Sequence, residues 1–188
     1  MTQATAKRGQ ATKEKIERAS IALFLEKGVN GTSVRDIAEA CGISEGTLYR
    51  HFHSKDAMIR EIFTEHYVSF SEKLAEATAA VAGLEAQVER MVGLFCGFYD
   101  EDPILFGFLL MVQHRQLERL PSNLPNAIDV IHELMVKDGR VHEPMLATAS
   151  MIGILVRNAM FVRHSRLEGP LSRYVPQLSR QIMGAVTA

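Results

Sequence analysis

Two short patterns in the chain could do chemistry. Gly42-Ile43-Ser44-Glu45-Gly46 reads G-x-S-x-G, the pattern in which a serine on a strained strand-to-helix turn attacks an acyl group. Shortly after it, His51-x-His53 sets two imidazoles close enough in sequence to suggest a metal. Each pattern needs a setting. The nucleophile requires a β-strand running into the turn and later Asp and His partners on a parallel sheet. Here Ala38-Glu39-Ala40 precede the motif in helical spacing, and no alternating run rich in Val, Ile and Thr is bounded by turn signals. The two histidines would sit on a helix and at its exit, pointing to different sides. The seven histidines include no HExxH, and neither GxGxxG nor GxxxxGK[ST] occurs. The sequence therefore predicts no catalytic residue, no metal and no cofactor.

The elements that must position these residues are helices. Apolar residues recur at i, i+3, i+4 throughout, which predicts an all-α chain of about nine helices. A first helix, about 12–27, turns Ile16, Ala19, Leu23 and Phe24 inward and stops at Gly28. Ser33-Val34-Arg35-Asp36 fits a capping box that starts a second, short helix. Ser44 caps a third over Glu45 to Phe52, and Ser54 caps a long fourth reaching to near Ala80. Further helices are expected over 84–99, from Asp102-Pro103, over 127–137, from Glu143-Pro144 to about Arg166, and after Gly169-Pro170. The eighth is almost long and apolar enough to cross a bilayer. Arg157 and Asn158 lie within it, however, and Thr148 and Ser150 dilute it, so a buried helix and no membrane partner are expected.

Packing two short helices at a steep angle needs a small residue at the crossing, a turn that accepts positive φ, and apolar residues on both sides. Ala38, Gly42, and the set Ile37, Cys41, Ile43, Leu48 and Phe52 supply them, at the relative spacing of a helix-turn-helix. With Leu48 and Phe52 inward, the third helix shows Ser44, Glu45, Gly46, Thr47, Tyr49, Arg50 and His51 to solvent. Gly46 costs up to about 1 kcal/mol against Ala in a helix interior, a loss that makes sense where the backbone approaches a surface closely; the alternative is that Gly46 merely extends the loop.

Thr32-Ser33-Val34-Arg35-Asp36-Ile37-Ala38, Cys41-Gly42-Ile43-Ser44, Gly46-Thr47-Leu48-Tyr49-Arg50-His51-Phe52 and Ser54-Lys55 together resemble the tetracycline-repressor (TetR) family of transcriptional regulators. The resemblance covers about 12–67. It implies a homodimer on a palindromic double-stranded DNA operator, with a C-terminal domain that holds a small-molecule effector and forms the dimer interface. The implied DNA-facing set is Ser33, Arg35, Ser44, Glu45, Gly46, Thr47, Tyr49, Arg50, His51 and Lys55. Ser33 and Lys55 would hold phosphates, with Tyr49 and His51 also on the backbone. Arg50 is the best candidate to read a base, through O6 and N7 of a guanine. Glu45 would either accept from a cytosine amino group or cap the helix. Thr47 would either meet a thymine methyl or bond its own helix. Lys7, Arg8, Lys13 and Lys15 would reach an adjacent groove or phosphates, or belong to a solvated, disordered tail. The implied organisation is a flexible arm over 1–11, a DNA-binding domain over 12–53, and a ligand-binding and dimerisation domain over 54–188.

Composition agrees with a folded chain of this kind. It has 188 residues, 47% of them hydrophobic and 23% charged. Residues 1–60 hold ten Lys and Arg against seven Asp and Glu, whereas 61–188 hold eleven against fifteen, so the front half is the one suited to an anionic partner. Cys41 and Cys96 have no CxxC partner and read as buried thiols of a reducing compartment. The polar start has no apolar export segment, so a cytoplasmic, nucleoid-associated protein is expected. In the back half, Phe63, His66, Phe70, Met91, Phe95, Tyr99, Leu110 and His114 are the candidate lining of an apolar or aromatic effector pocket. Small and apolar residues on the last two long helices form the candidate dimer interface: Ala149, Ile152, Gly153, Val156 and Met160, then Leu171, Val175, Leu178 and Ile182. The same residues leave two alternatives open, a helix-turn-helix protein acting through protein contacts and a small helical enzyme.

Overall fold

The computed structural model of the chain describes residues 3–187, with side chains from Lys7 onward. Helices α1 (Gln3–Gly31), α2 (Val34–Cys41), α3 (Glu45–His51), α4 (Lys55–Ala79), α5 (Leu84–Glu101), α6 (Pro103–Leu117), α7 (Ala127–Lys137), α8 (Pro144–Arg163) and α9 (Val175–Val186) follow in order, with a 3-10 turn at Leu171–Tyr174 before α9. No strand occurs among the described residues, so the strand that a nucleophile elbow needs is missing there.

Helix α1 starts nine residues before the expected Thr12. The run to Ala11 is rich in Ala, Lys, Arg and Gln, which propagate a helix already nucleated downstream. The helical part of the expected arm is thus Gln3–Ala11, while Met1 and Thr2 lie outside the described residues. Gly28 breaks the helix with φ 76 and ψ 160, and one more turn follows to Gly31. There the Thr32 hydroxyl donates to the carbonyls of Leu23 and Gly28, at 3.1 and 2.9 Å.

The chain forms two compact units, Met1–Glu65 with Ile104–Leu120, and His66–Pro103 with Pro121–Ala188. The sequence division at 53/54 differs from this one for a physical reason. Phe108 of α6 stacks on Phe24 of α1, with centroids 6.0 Å apart, and both rings are buried with Ile16, Ile21, Met58 and Ile62. No local periodicity reports a contact between residues so far apart in the chain.

In the second unit α5, α8 and α9 share a core through Met91, Cys96, Met151, Leu155, Leu178 and Ile182. Asp100 accepts from the backbone N–H groups of Leu171 and Ser172, at 2.7 and 2.8 Å, and so fixes the 3-10 turn that delivers the chain into α9. Pro176 falls in the first turn of α9, where its missing N–H costs nothing. The Tyr67 hydroxyl donates to Oδ1 of Asn126 at 2.7 Å, and the same oxygen caps α7 by accepting from Ile128 N–H.

Candidate nucleic-acid interface

Local chemistry builds α2 and α3. The Ser33 hydroxyl accepts from Asp36 N–H at 3.0 Å, while Asp36 accepts from both the N–H and the hydroxyl of Ser33, at 2.7 Å each. These bonds stabilise the charged form and hold the Asp36 carboxyl below its ordinary range. Gly42 sits at φ 63, ψ 35, and the N–H groups of Gly42 and Ile43 return to Glu39 and Ala38. That left-handed residue turns the chain into Ser44, whose hydroxyl accepts from Thr47 N–H at 3.1 Å. Ser44 is thus a helix cap, and both of its side-chain bonds among the described residues go to Thr47.

Leu48 and Phe52 are about 1% exposed or less and lock α3 inward. On the outer side Ser44, Glu45, Gly46, Tyr49 and Arg50 are exposed, and Thr47 and His51 half-exposed. Tyr49 is 46% exposed, with its phenol on this face. A Cβ at Gly46 would meet only the Ser44 hydroxyl at 3.9 Å, so nothing within the chain requires glycine there. Arg50 Nη2 donates to the Thr47 hydroxyl at 3.1 Å. Arg35 is exposed on α2 and pairs with Glu39 at 2.8 Å.

Lys55, expected at a phosphate, makes two bonds within the chain. Its ammonium donates to the carbonyls of Val29 and Thr32, at 2.6 and 2.8 Å, tying the start of α4 to the α1–α2 connection. Lys13 and Lys15 are likewise engaged. Lys13 lies 2.7 Å from Glu61, 3.7 Å from Glu17 and 3.8 Å from Glu65, and the Glu61 bond raises its pKa. Lys15 donates to the Cys41 carbonyl at 2.8 Å, satisfying the end of α2. Lys7 and Arg8 are exposed. Among the described residues no group of three His, Cys, Asp or Glu side chains is arranged to hold a metal.

The second unit carries an open groove of about 830 Å³ between α4 and α5, touched by Val175. Phe70 and Phe98, 5.2 Å apart, form part of its wall, with Lys73 from α4 and Arg90 from α5 at its rim. Of the eight residues expected around an effector, His66 and Phe70 line this groove. Met91 and Tyr99 are buried core, Phe95 is half-buried, and Phe63, Leu110 and His114 belong to the first unit. The His114 side chain is 95% exposed and faces Glu118 at 3.6 Å. Lys73, Arg90, Gly93 and Gly97, not among the residues expected from the sequence, also line the groove. The two glycines, spaced i, i+4 inside a helix, were the available signal.

On α8, Ala149, Ile152, Gly153, Val156 and Met160 lie on the outward side of a helix whose inner side is Ala147, Met151, Leu155 and Ala159. Val175 is half-exposed, whereas Leu171, Leu178 and Ile182 are buried within the chain, so the stripe on α9 is already covered. By length and composition alone, α8 could cross a membrane, and 28% of its apolar window is buried. Met145, Leu146 and Phe161 are 58, 65 and 47% exposed on it.

A short helix, a left-handed glycine turn and a second helix with a buried apolar side and a polar outer side make the first unit a helix-turn-helix of the DNA-binding kind. Residues 16–62 match the family described as bacterial regulatory proteins, tetR family. The HTH-type transcriptional repressor KstR2 of Rhodococcus jostii is 41% identical over 70 residues, 37% of this chain and 34% of that protein. The matched stretch thus spans about a third of that curated relative's length. Beyond it, likeness is of fold alone. The fatty acid degradation regulator FadR from Bacillus halodurans superposes with a TM-score of 0.74 at 16% identity, covering 93% of this chain and 96% of that one. FadR from Bacillus subtilis, solved in complex with stearoyl-CoA, gives 0.71 at 17%, covering 92% and 98%.

Proposed function

We propose that the chain is a transcriptional regulator that binds a palindromic DNA operator as a homodimer, acts as a repressor, and is released by a small apolar or aromatic effector. The observation that carries this reading is the outer face of α3. Its hydrogen-bonding side chains stand exposed on a helix locked from behind by Leu48 and Phe52, and Gly46 lets the backbone approach a partner closely. The outward apolar side of α8 supports pairing of two copies, since an apolar stripe of this kind is costly to leave wet. Two copies would then place two α3 helices about 34 Å apart, one turn of DNA.

The groove between α4 and α5 supports the effector part of the reading. It has the volume of a small-molecule site and an aromatic wall, and its α4 side belongs to the helix that begins at Lys55 beside the helix-turn-helix. Stearoyl-CoA, held by a protein of the same fold, makes acyl chains the first ligands to try. A ligand that favours a DNA-incompetent setting of α4 must, by reciprocity, bind more weakly when operator is present. The test is selection from a random duplex pool, followed by gel retardation of the enriched sequence against salt. A palindrome whose binding falls steeply with salt is expected. Failure of the pool to enrich any sequence removes the proposal.

A further inference from the structure

Ser44, Thr47 and Arg50 form one row along α3, three residues apart, joined by hydrogen bonds. Thr47 N–H donates to the Ser44 hydroxyl at 3.1 Å, the two hydroxyl oxygens lie 3.0 Å apart, and Arg50 Nη2 donates to Thr47 Oγ1 at 3.1 Å. We infer that Thr47 is a positioning residue for base reading: its hydroxyl, steadied by Ser44, aims the Arg50 guanidinium, and its methyl does not read a thymine. The inference rests on the DNA-binding reading above.

Proton counting gives the row its character. A hydroxyl has one hydrogen and two lone pairs. When Ser44 donates to Thr47, both lone pairs of Thr47 are filled, by Ser44 and by Arg50, and the hydrogen of Thr47 is left over. When Thr47 donates to Ser44, the hydrogen of Ser44 is left over instead. In either direction the row offers an outside partner one O–H and the remaining guanidinium N–H groups against a single unfilled hydroxyl lone pair, so donors dominate. Such a surface seeks acceptors, and the densest acceptor pair in the major groove is O6 and N7 of guanine. Arginine is also among the side chains with most freedom to lose on binding, and fixing it beforehand removes part of that loss. Thr47 suits the task because its χ1 is restricted by branching at Cβ.

The experiment compares the full-length protein with Thr47→Val, which keeps the shape without the hydroxyl, Thr47→Ser, which keeps the hydroxyl without the methyl, Arg50→Ala, and the double variant Thr47→Val/Arg50→Ala. Each is given the wild-type selected duplex and its set of single base-pair changes, and melting is recorded to confirm folding. The Thr47 N–H bond to Ser44 is made by the backbone and survives in all of them. Expected is a loss of guanine preference of roughly three- to tenfold in Thr47→Val, at the same base pair that Arg50→Ala affects and at no other. Thr47→Ser keeps the preference, and Thr47→Val adds nothing once Arg50 is gone. Loss of a thymine preference in Thr47→Ser with Thr47→Val unchanged overturns the inference in favour of a methyl contact. Unchanged preference in both, or an equal loss at every base pair, also overturns it. Each of these leaves the DNA-binding reading standing, because the wild type still binds its duplex. A wild type that enriches no sequence overturns both.

Discussion

Replacing Lys55 by methionine keeps the apolar stem and removes the ammonium that bridges Val29 and Thr32. Two charge-assisted bonds, at 2.6 and 2.8 Å, are lost together. Bonds to a charged group contribute about 1.5–3 kcal/mol each, and the half-exposed position lets water recover part of that, so a net cost of roughly 2–4 kcal/mol is expected. For a chain of this size that corresponds to a fall in Tm of roughly 4–16 °C. Circular dichroism melting of Lys55→Met beside the wild type measures it. Hydrogen exchange at the end of α1 and the start of α2 should rise at the same time, because the linker between them loses its tie. Loss of DNA binding should follow the loss of fold and recover on cooling. An unchanged Tm with weakened DNA binding and a shallower salt slope would refute the reasoning and return Lys55 to the phosphate contact that its sequence position suggests.

Gly42→Ala forces a Cβ into φ 63 and should cost roughly 1–2 kcal/mol, read as a lower melting midpoint; an unchanged midpoint would mean the turn has relaxed. Burial pushes the Tyr67 phenol up to about 12. The folded state therefore holds this proton more tightly than the unfolded one, and the stability it contributes is complete below pH 10 and lost as pH rises from about 10 towards 12. Tyr67→Phe should flatten that alkaline loss in a series of melts, and should cost about 1 kcal/mol at neutral pH through its bond to Asn126. Gly153 is exposed, and a Cβ added there meets no atom of its own chain within 4 Å, so Gly153→Glu is accommodated in the monomer. It should leave the monomer folded but halve the mass seen by light scattering at micromolar concentration and abolish operator binding; a dimer that survives it would move the interface off this face of α8.

The sequence alone determined what is decided within a turn or two of chain. Ser33 with Asp36, Gly42 with Ala38 and Glu39, and Ser44 with Thr47 are bonds between residues three or four apart, so composition and spacing were enough to draw α2, the turn and α3. The inward pair Leu48 and Phe52, and hence the outward set on α3, followed from helical period in the same way. Tertiary structure decided which charges are already spent. The partners of Lys55 lie 23 and 26 residues away, that of Lys15 lies 26 away, and Glu61 takes Lys13 from the far side of the helix-turn-helix. It also decided that α6 packs its Phe108 on Phe24, which removes Leu110 and His114 from the unit holding the groove. Likewise, Leu178 and Ile182 are consumed inside the chain, while α8 keeps an outward apolar side. An apolar stripe or a lysine in sequence states only that a side chain has something to bury or to donate. Which surface or acceptor receives it depends on where distant helices close, because the burial and pairing energies that settle the choice belong to contacts and not to residues.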